Sequence, residues 1–373
     1  MKIGILTQPL RHNYGGILQN WALQQVLLAM GHQPEMIFLC CEKRPGRRLL
    51  ARRCLSVVKC LIKKYLLRRD GVYIHSPLTP QYTPVAPQYV DSAFVRGIHK
   101  TKRLFADVDL GLFVENRGYD AFVVGSDQVW REDYSPSISR YFLDFLAMND
   151  PRPRIAYAAS FGKSRGYISE TMLPVCRDLL HRFDAVSVRE YEGLEILEHD
   201  FGYSKGVKVL DPTLLLPAEK YRTKIKDEDR VHNPHIAAYI LDTSEQIQQC
   251  LSRLGSQLHL PVKTFSAEPH GGKMLTISQW LAEFDQAEFV VTDSFHGCVF
   301  SIIFQKPFVC LGNRWRGMGR FLSLLEPLGL SDRLISAEDF SLPDTNINWK
   351  DVNERLEQMR ISSRQFLAEA LGC

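Results

Sequence analysis

The chain has 373 residues, 45% of them hydrophobic, and a formal net charge of +4. That length can bury two cores of ordinary domain size, and so small a charge excess argues against nucleic acid as a partner. No apolar run approaches the roughly 20 residues needed to span a bilayer, and the opening Met1 to Thr7 reads as a strand rather than a leader, so a cytoplasmic location is expected.

In chain order, Lys2 to Leu6 predicts the first strand, residues 8–16 a polar loop containing Gly15 and Gly16, and Ile17 to Val26 a mostly apolar helix that stops at Gly31. Glu35 to Leu39 predicts the second strand. Residues 43–69 then carry eleven Lys or Arg and no acid. Within them Leu50, Cys54, Val57, Leu61 and Tyr65 follow helical spacing, while Arg48, Arg52, Lys59 and Lys63 line another face. Such a basic amphipathic insertion suits either an anionic membrane surface or a solvated face on a helix docked against its own domain. After an irregular stretch rich in Pro and Tyr at 73–87, strands are predicted at 119–124, 154–159, 185–188 and 207–210.

Residues 220–234 contain eight charged side chains and little apolar periodicity, which marks a hinge between a first domain, 1–219, and a second, 235–345. The second half predicts strands at 236–241, 262–265, 288–291 and 307–311 alternating with helices at 244–258, 276–285 and 295–304. Residues 346–373 predict a terminal helix packing across the domains. The alternation implies an α/β protein of two doubly wound parallel sheets facing a cleft. Nine cysteines stand mostly in apolar contexts without zinc-ligand spacing, and neither a metal nor a cofactor is expected.

In such folds ligands sit at the carboxyl ends of strands. Four clusters qualify. Asn13, Gly15 and Gly16 follow the first strand, where adjacent glycines let backbone N–H groups approach an anion or a sugar hydroxyl; a tight turn is the competing reading. Ser126 and Asp127, followed by Trp130, suit a sugar, or serve as helix caps. Arg189 ends a buried strand and needs an anion, either an internal acid such as Glu190 or a ligand. Thr292-Asp293-Ser294-Phe295-His296-Gly297 opens a helix, where His296 is either packed or chemical. Without a G-x-S-x-G elbow or an H-E-x-x-H motif, the available groups suit transfer from a phosphorylated donor.

Taken together and in this order, Asn13-Tyr14-Gly15-Gly16, Gly125-Ser126-Asp127-Gln128-Val129-Trp130, Ser187-Val188-Arg189-Glu190, Leu210-Asp211-Pro212-Thr213 and Asp293-Ser294-Phe295-His296-Gly297 resemble the polysaccharide pyruvyl transferase family. The resemblance implies two Rossmann-like domains arranged as in GT-B glycosyltransferases. It implies phosphoenolpyruvate as donor and a sugar diol on a polysaccharide or lipid-linked oligosaccharide as acceptor, joined as a pyruvate ketal. By the resemblance, His296 and Arg189 would be catalytic, with Arg189, Ser294, His296 and Gly297 on the donor side and Asn13, Gly15, Gly16, Ser126 and Asp127 on the acceptor side. Relatives carry an arginine where this chain has Ser294, so Arg316 and Arg320 are expected to supply the missing charge. A GT-B-type nucleotide-sugar glycosyltransferase is the alternative, and a non-catalytic glycan-binding scaffold a third reading.

Overall fold

The computed structural model describes residues 1–10, 13–40, 46–67, 92–135, 137–162, 166–230, 233–267, 274–312, 318–337 and 343–372. The first domain is built on a six-stranded parallel sheet of order β2-β1-β3-β4-β5-β6, with β1 at Lys2–Leu6, β2 at Gln33–Met36, β3 at Ala121–Asp127, β4 at Arg154–Ala159, β5 at Ala185–Val188 and β6 at Val207–Lys208. Its helices are α1 (Tyr14–Ala29), α2 (Arg47–Leu61), α3 (Ala93–Gly97), α4 (Leu110–Glu115), α5 (Leu173–Leu180) and α6 (Tyr191–His199).

The connecting helix α7 (Ala218–Arg222) leads to a five-stranded parallel sheet of order β11-β10-β9-β7-β8. Its strands are β7 (Ile236–Tyr239), β8 (Val262–Phe265), β9 (Phe289–Thr292), β10 (Phe308–Leu311) and β11 (Leu334–Ile335), with helices α8 (Glu245–Leu258), α9 (Ile277–Asp285), α10 (Phe295–Ile303) and α11 (Gly319–Leu325). The terminal helix α12 (Trp349–Leu371) touches both halves: Ser363 Oγ accepts from Leu210 N at 3.0 Å, and Arg355 lies beside Gly329.

Strand order reverses between β1 and β3 in one sheet and between β7 and β9 in the other, which fixes where each crevice opens. Register then levels the strand ends. Asp127 pairs with Ala159, Ala159 with Val188, and Val188 with Lys208, so the residues just after β3, β4, β5 and β6 share one edge.

Three features depart from the periodicity reading. First, Gly15 and Gly16 belong to α1, not to a loop, because Asn13 caps the helix and its side chain accepts from Gly16 N. Second, α1 is buried nearly all round, including Gln19, Asn20 and Gln24, since it lies between both domains; Gln19 Nε2 donates to Thr7 Oγ1 and Gln24 Nε2 to the His99 carbonyl. Third, Tyr221, within the charged segment 220–234, buries its ring against Trp21 and Phe94 of the first domain and Phe300 of the second. One apolar core therefore runs through the domain boundary, with Tyr14 stacked on Trp280 at 5.1 Å.

Of the basic insertion, 47–67 is described. It is α2 continued by a π-helical turn at Ile62–Leu66, and only Arg53 is buried. Among the described residues no helix is long and apolar enough to cross a membrane.

Candidate active site

The edge formed by β3, β5 and β6 collects charge. Arg189, directly after β5, donates from Nη1 to Asp211 Oδ2 at 2.9 Å and from Nη2 to Asp127 Oδ1 at 3.2 Å, and its Nε lies 3.4 Å from Glu190 Oε2. The Phe295 ring covers the guanidinium at 4.7 Å. With a side chain only 2% exposed, this arginine faces protein acids and not open space. Of the two partners open to it in the sequence reading, the structure supplies the internal acid. The three carboxylates hold its proton firmly and outweigh the burial that would loosen it.

Asp211 is the centre of the cluster and was missed as a site residue, since Asp-Pro after a strand reads as a stop. It is fully buried. Its Oδ1 accepts from Thr213 N (3.1 Å) and Thr213 Oγ1 (2.7 Å), and its Oδ2 takes the Arg189 bond and Ser126 Oγ at 3.4 Å. Its Oδ2 also lies 3.6 Å from His296 Nε2. Burial alone would raise the carboxyl, but His296, Arg189 and Thr213 together hold it well below the usual carboxylate range.

His296 arrives from the other domain, in the first turn of α10 after β9. Its imidazole occupies the space above Gly15: a Cβ built there would lie 2.0 Å from His296 Nδ1. Glycine in the first turn of α1 is thus demanded by the facing histidine, not by a turn. Behind it, Gly297 packs so tightly on Thr292 that an added Cβ would fall 2.1 Å from Oγ1. Asp293 pins the second crevice, accepting from Leu241 N (2.7 Å) and Asp242 N (2.9 Å) across the switch between β7 and β9.

The remaining expected residues divide. Asn13 is spent on capping; Ser126 donates to the Ala158 carbonyl at 3.2 Å; Asp127 is held by Arg189 and its own turn. Ser294 is buried at the start of α10 and makes no side-chain cap, leaving the first-turn N–H groups to other acceptors. Arg320, in α11, is half-buried and lies near Glu192 of the first domain, whose carboxyl it partly stabilises against burial. Arg316 lies outside the described residues. A separate cavity of 480 Å³ opens at the carboxyl edge of the second sheet, between Ser244, Asp293, Gly312 and Ser336.

The family model for polysaccharide pyruvyl transferase matches residues 13–314, a span that contains Arg189, Asp211 and His296. The chain belongs to the polysaccharide pyruvyl transferase family. As a member of this family it is a transferase. Its fold is GT-B-like. The UDP-GlcNAc 2-epimerase of Neisseria meningitidis bound to UDP-GlcNAc is similar over 100% of this chain and 99% of its own, with a TM-score of 0.52 and 10% identity. The UDP-GlcNAc 2-epimerase of Methanocaldococcus jannaschii is similar over 96% and 93%, with a TM-score of 0.52 and 12% identity. At such identity the likeness speaks for the fold alone. No curated protein matches the sequence.

Proposed function

We propose that this pyruvyl transferase family member moves a pyruvyl group from phosphoenolpyruvate onto two hydroxyls of one sugar, forming a pyruvate ketal. The sugar belongs to a cell-surface polysaccharide or its lipid-linked precursor, met at the inner face of the cytoplasmic membrane. What carries the reading is the contact between domains, where His296 from the second closes on Gly15 and buried Asp211 of the first, in a chain of this family.

In this reaction the enol methylene gains a proton and becomes a methyl group, while one sugar hydroxyl loses its proton and adds to the neighbouring carbon. The second hydroxyl then displaces phosphate from that carbon, and its proton departs with the phosphate. His296 relays the proton from the first hydroxyl toward the methylene. Asp211 faces Nε2 across 3.6 Å, and Arg189 keeps Asp211 ionised rather than binding the donor itself. The donor's negative charge falls to the uncapped first turn of α10 around Ser294 and Gly297 and to Arg320 and Arg316. Asn13, Ser126 and Asp127, with the backbone at Gly15 and Gly16, flank the acceptor.

The test is a donor screen by calorimetry, with phosphoenolpyruvate beside nucleotide sugars, followed by phosphate release with candidate glycans. Phosphoenolpyruvate binding is expected, and His296→Ala should retain it while lowering transfer by about a hundredfold or more. Binding of a nucleotide sugar without phosphoenolpyruvate, with release of a nucleoside diphosphate, would replace this reading with that of a glycosyltransferase.

A further inference from the structure

We propose that α2 and its π-helical continuation dock the protein on the anionic surface of a lipid bilayer. The clause that a membrane presents the acceptor rests on the reading above; the surface itself stands on its own observations.

A basic amphipathic helix normally buries its apolar stripe against its own domain and leaves its charges in water. Here the apolar residues divide: Leu50 and Val57 of the predicted stripe are half-buried, but Cys54, Leu61 and Tyr65 are exposed. Leu55, Val58, Ile62, Tyr65 and Leu66 are 62%, 51%, 46%, 69% and 79% exposed, and Leu61 is 39% exposed. Along one flank Arg53 is buried and Leu50, Val57 and Cys60 are half-buried. At 3.6 residues per turn, Cys54, Val58 and Leu61 fall together beside Leu55, while Arg48, Arg52, Lys59 and Lys63 form the adjoining row. The helix thus presents an apolar row and a cationic row side by side to the exterior.

Two further facts choose the occupant. Residues 46–67 contain no acidic side chain, so the complementary surface is anionic. A nucleic acid would neutralise the cations but leave large apolar side chains in water, whereas the boundary between lipid headgroups and acyl chains accepts both rows together. Topology adds a reason for the placement. The insertion departs from the carboxyl end of β2, and β2 is parallel to β1, so it leaves from the sheet edge that also carries Asn13, Asp127 and Arg189.

The experiment is co-sedimentation of the full chain with vesicles of phosphatidylcholine alone and of phosphatidylcholine mixed with phosphatidylglycerol, at low and high salt. Binding is expected only to the mixed vesicles and should weaken as salt rises. Reversing Arg48→Glu, Arg52→Glu, Lys59→Glu and Lys63→Glu together should reduce it about tenfold or more, and Leu55→Ser with Val58→Ser and Ile62→Ser should also reduce it. Unchanged melting of both variants separates lost docking from lost folding. Absence of binding at low salt, or binding indifferent to charge reversal, overturns the proposal. So does a dimer in solution that the serine variant dissociates while vesicles fail to bind, which would assign the face to a second copy. Sedimentation needs no donor, and donor calorimetry needs no vesicles, so either proposal can fail without the other.

Discussion

Arg189 and His296 share Asp211, and that sharing decides what each can do. The Arg189 guanidinium is engaged by three acids inside the protein, whereas His296 Nε2 faces the Asp211 carboxylate at 3.6 Å. Because the Asp211 carboxyl is depressed in the folded state, its contribution to stability is present above the ordinary carboxylate value near about pH 4 and is lost as pH falls through that range toward the lowered value. Asp211→Asn should cost about 3–5 kcal/mol at neutral pH, the range for breaking a buried pair. The cost should shrink toward about pH 3, where the unfolded chain takes up the proton while the folded carboxylate still resists it. Urea unfolding at the two pH values checks this, and an equal penalty at both would remove Asp211's charge from the account.

Among elements, the first turns of α1 and α10 are the informative pair, because two helices from different domains meet there with only the His296 imidazole between them and Gly15 offering no side chain. Gly15→Ala isolates that contact. Alanine favours a helix interior over glycine by about 1 kcal/mol, so stability should change little. The new methyl group would nonetheless fall on the imidazole and force it to move. Transfer, read by phosphate release, should fall by about tenfold or more while phosphoenolpyruvate binding is kept, since displaced catalytic geometry is costly; wild-type turnover would show that the imidazole position is immaterial to transfer. Several elements were legible beforehand. β1, β4 and β5 have the bounds that the apolar runs predicted, because a strand buried on both faces advertises itself locally; β8 has its predicted bounds too, although it is a largely exposed edge strand. The start of α1 was not legible, since Gly-Gly after a strand suggests a loop and only the Asn13 cap reverses that preference.

For the molecule as a whole, the domains share a core instead of facing one another across an empty space. Tyr14 stacks on Trp280 and donates to the Leu275 carbonyl at 2.8 Å, and Tyr221 fills the space behind them. Denaturation followed by circular dichroism and by tryptophan fluorescence should therefore give coincident transitions. Trp280→Ala should cost about 3–5 kcal/mol. Two resolved transitions in the wild type would instead mean that the domains unfold independently.

The sequence by itself determined most of the strands, the doubly wound halves, the histidine that opens α10 and the basic amphipathic insertion, because each is written in short-range periodicity, caps and composition; the short β11 and the helices α6 and α11 were not read from it. Tertiary structure decided that Arg189 answers to three internal acids, that Asp211 stands opposite His296, that Gly15 makes room for an imidazole, and that the apolar row of α2 remains uncovered. Those outcomes depend on which distant groups share a buried volume. Charge, burial and contact between residues far apart in the chain are set only when the two sheets close on one core.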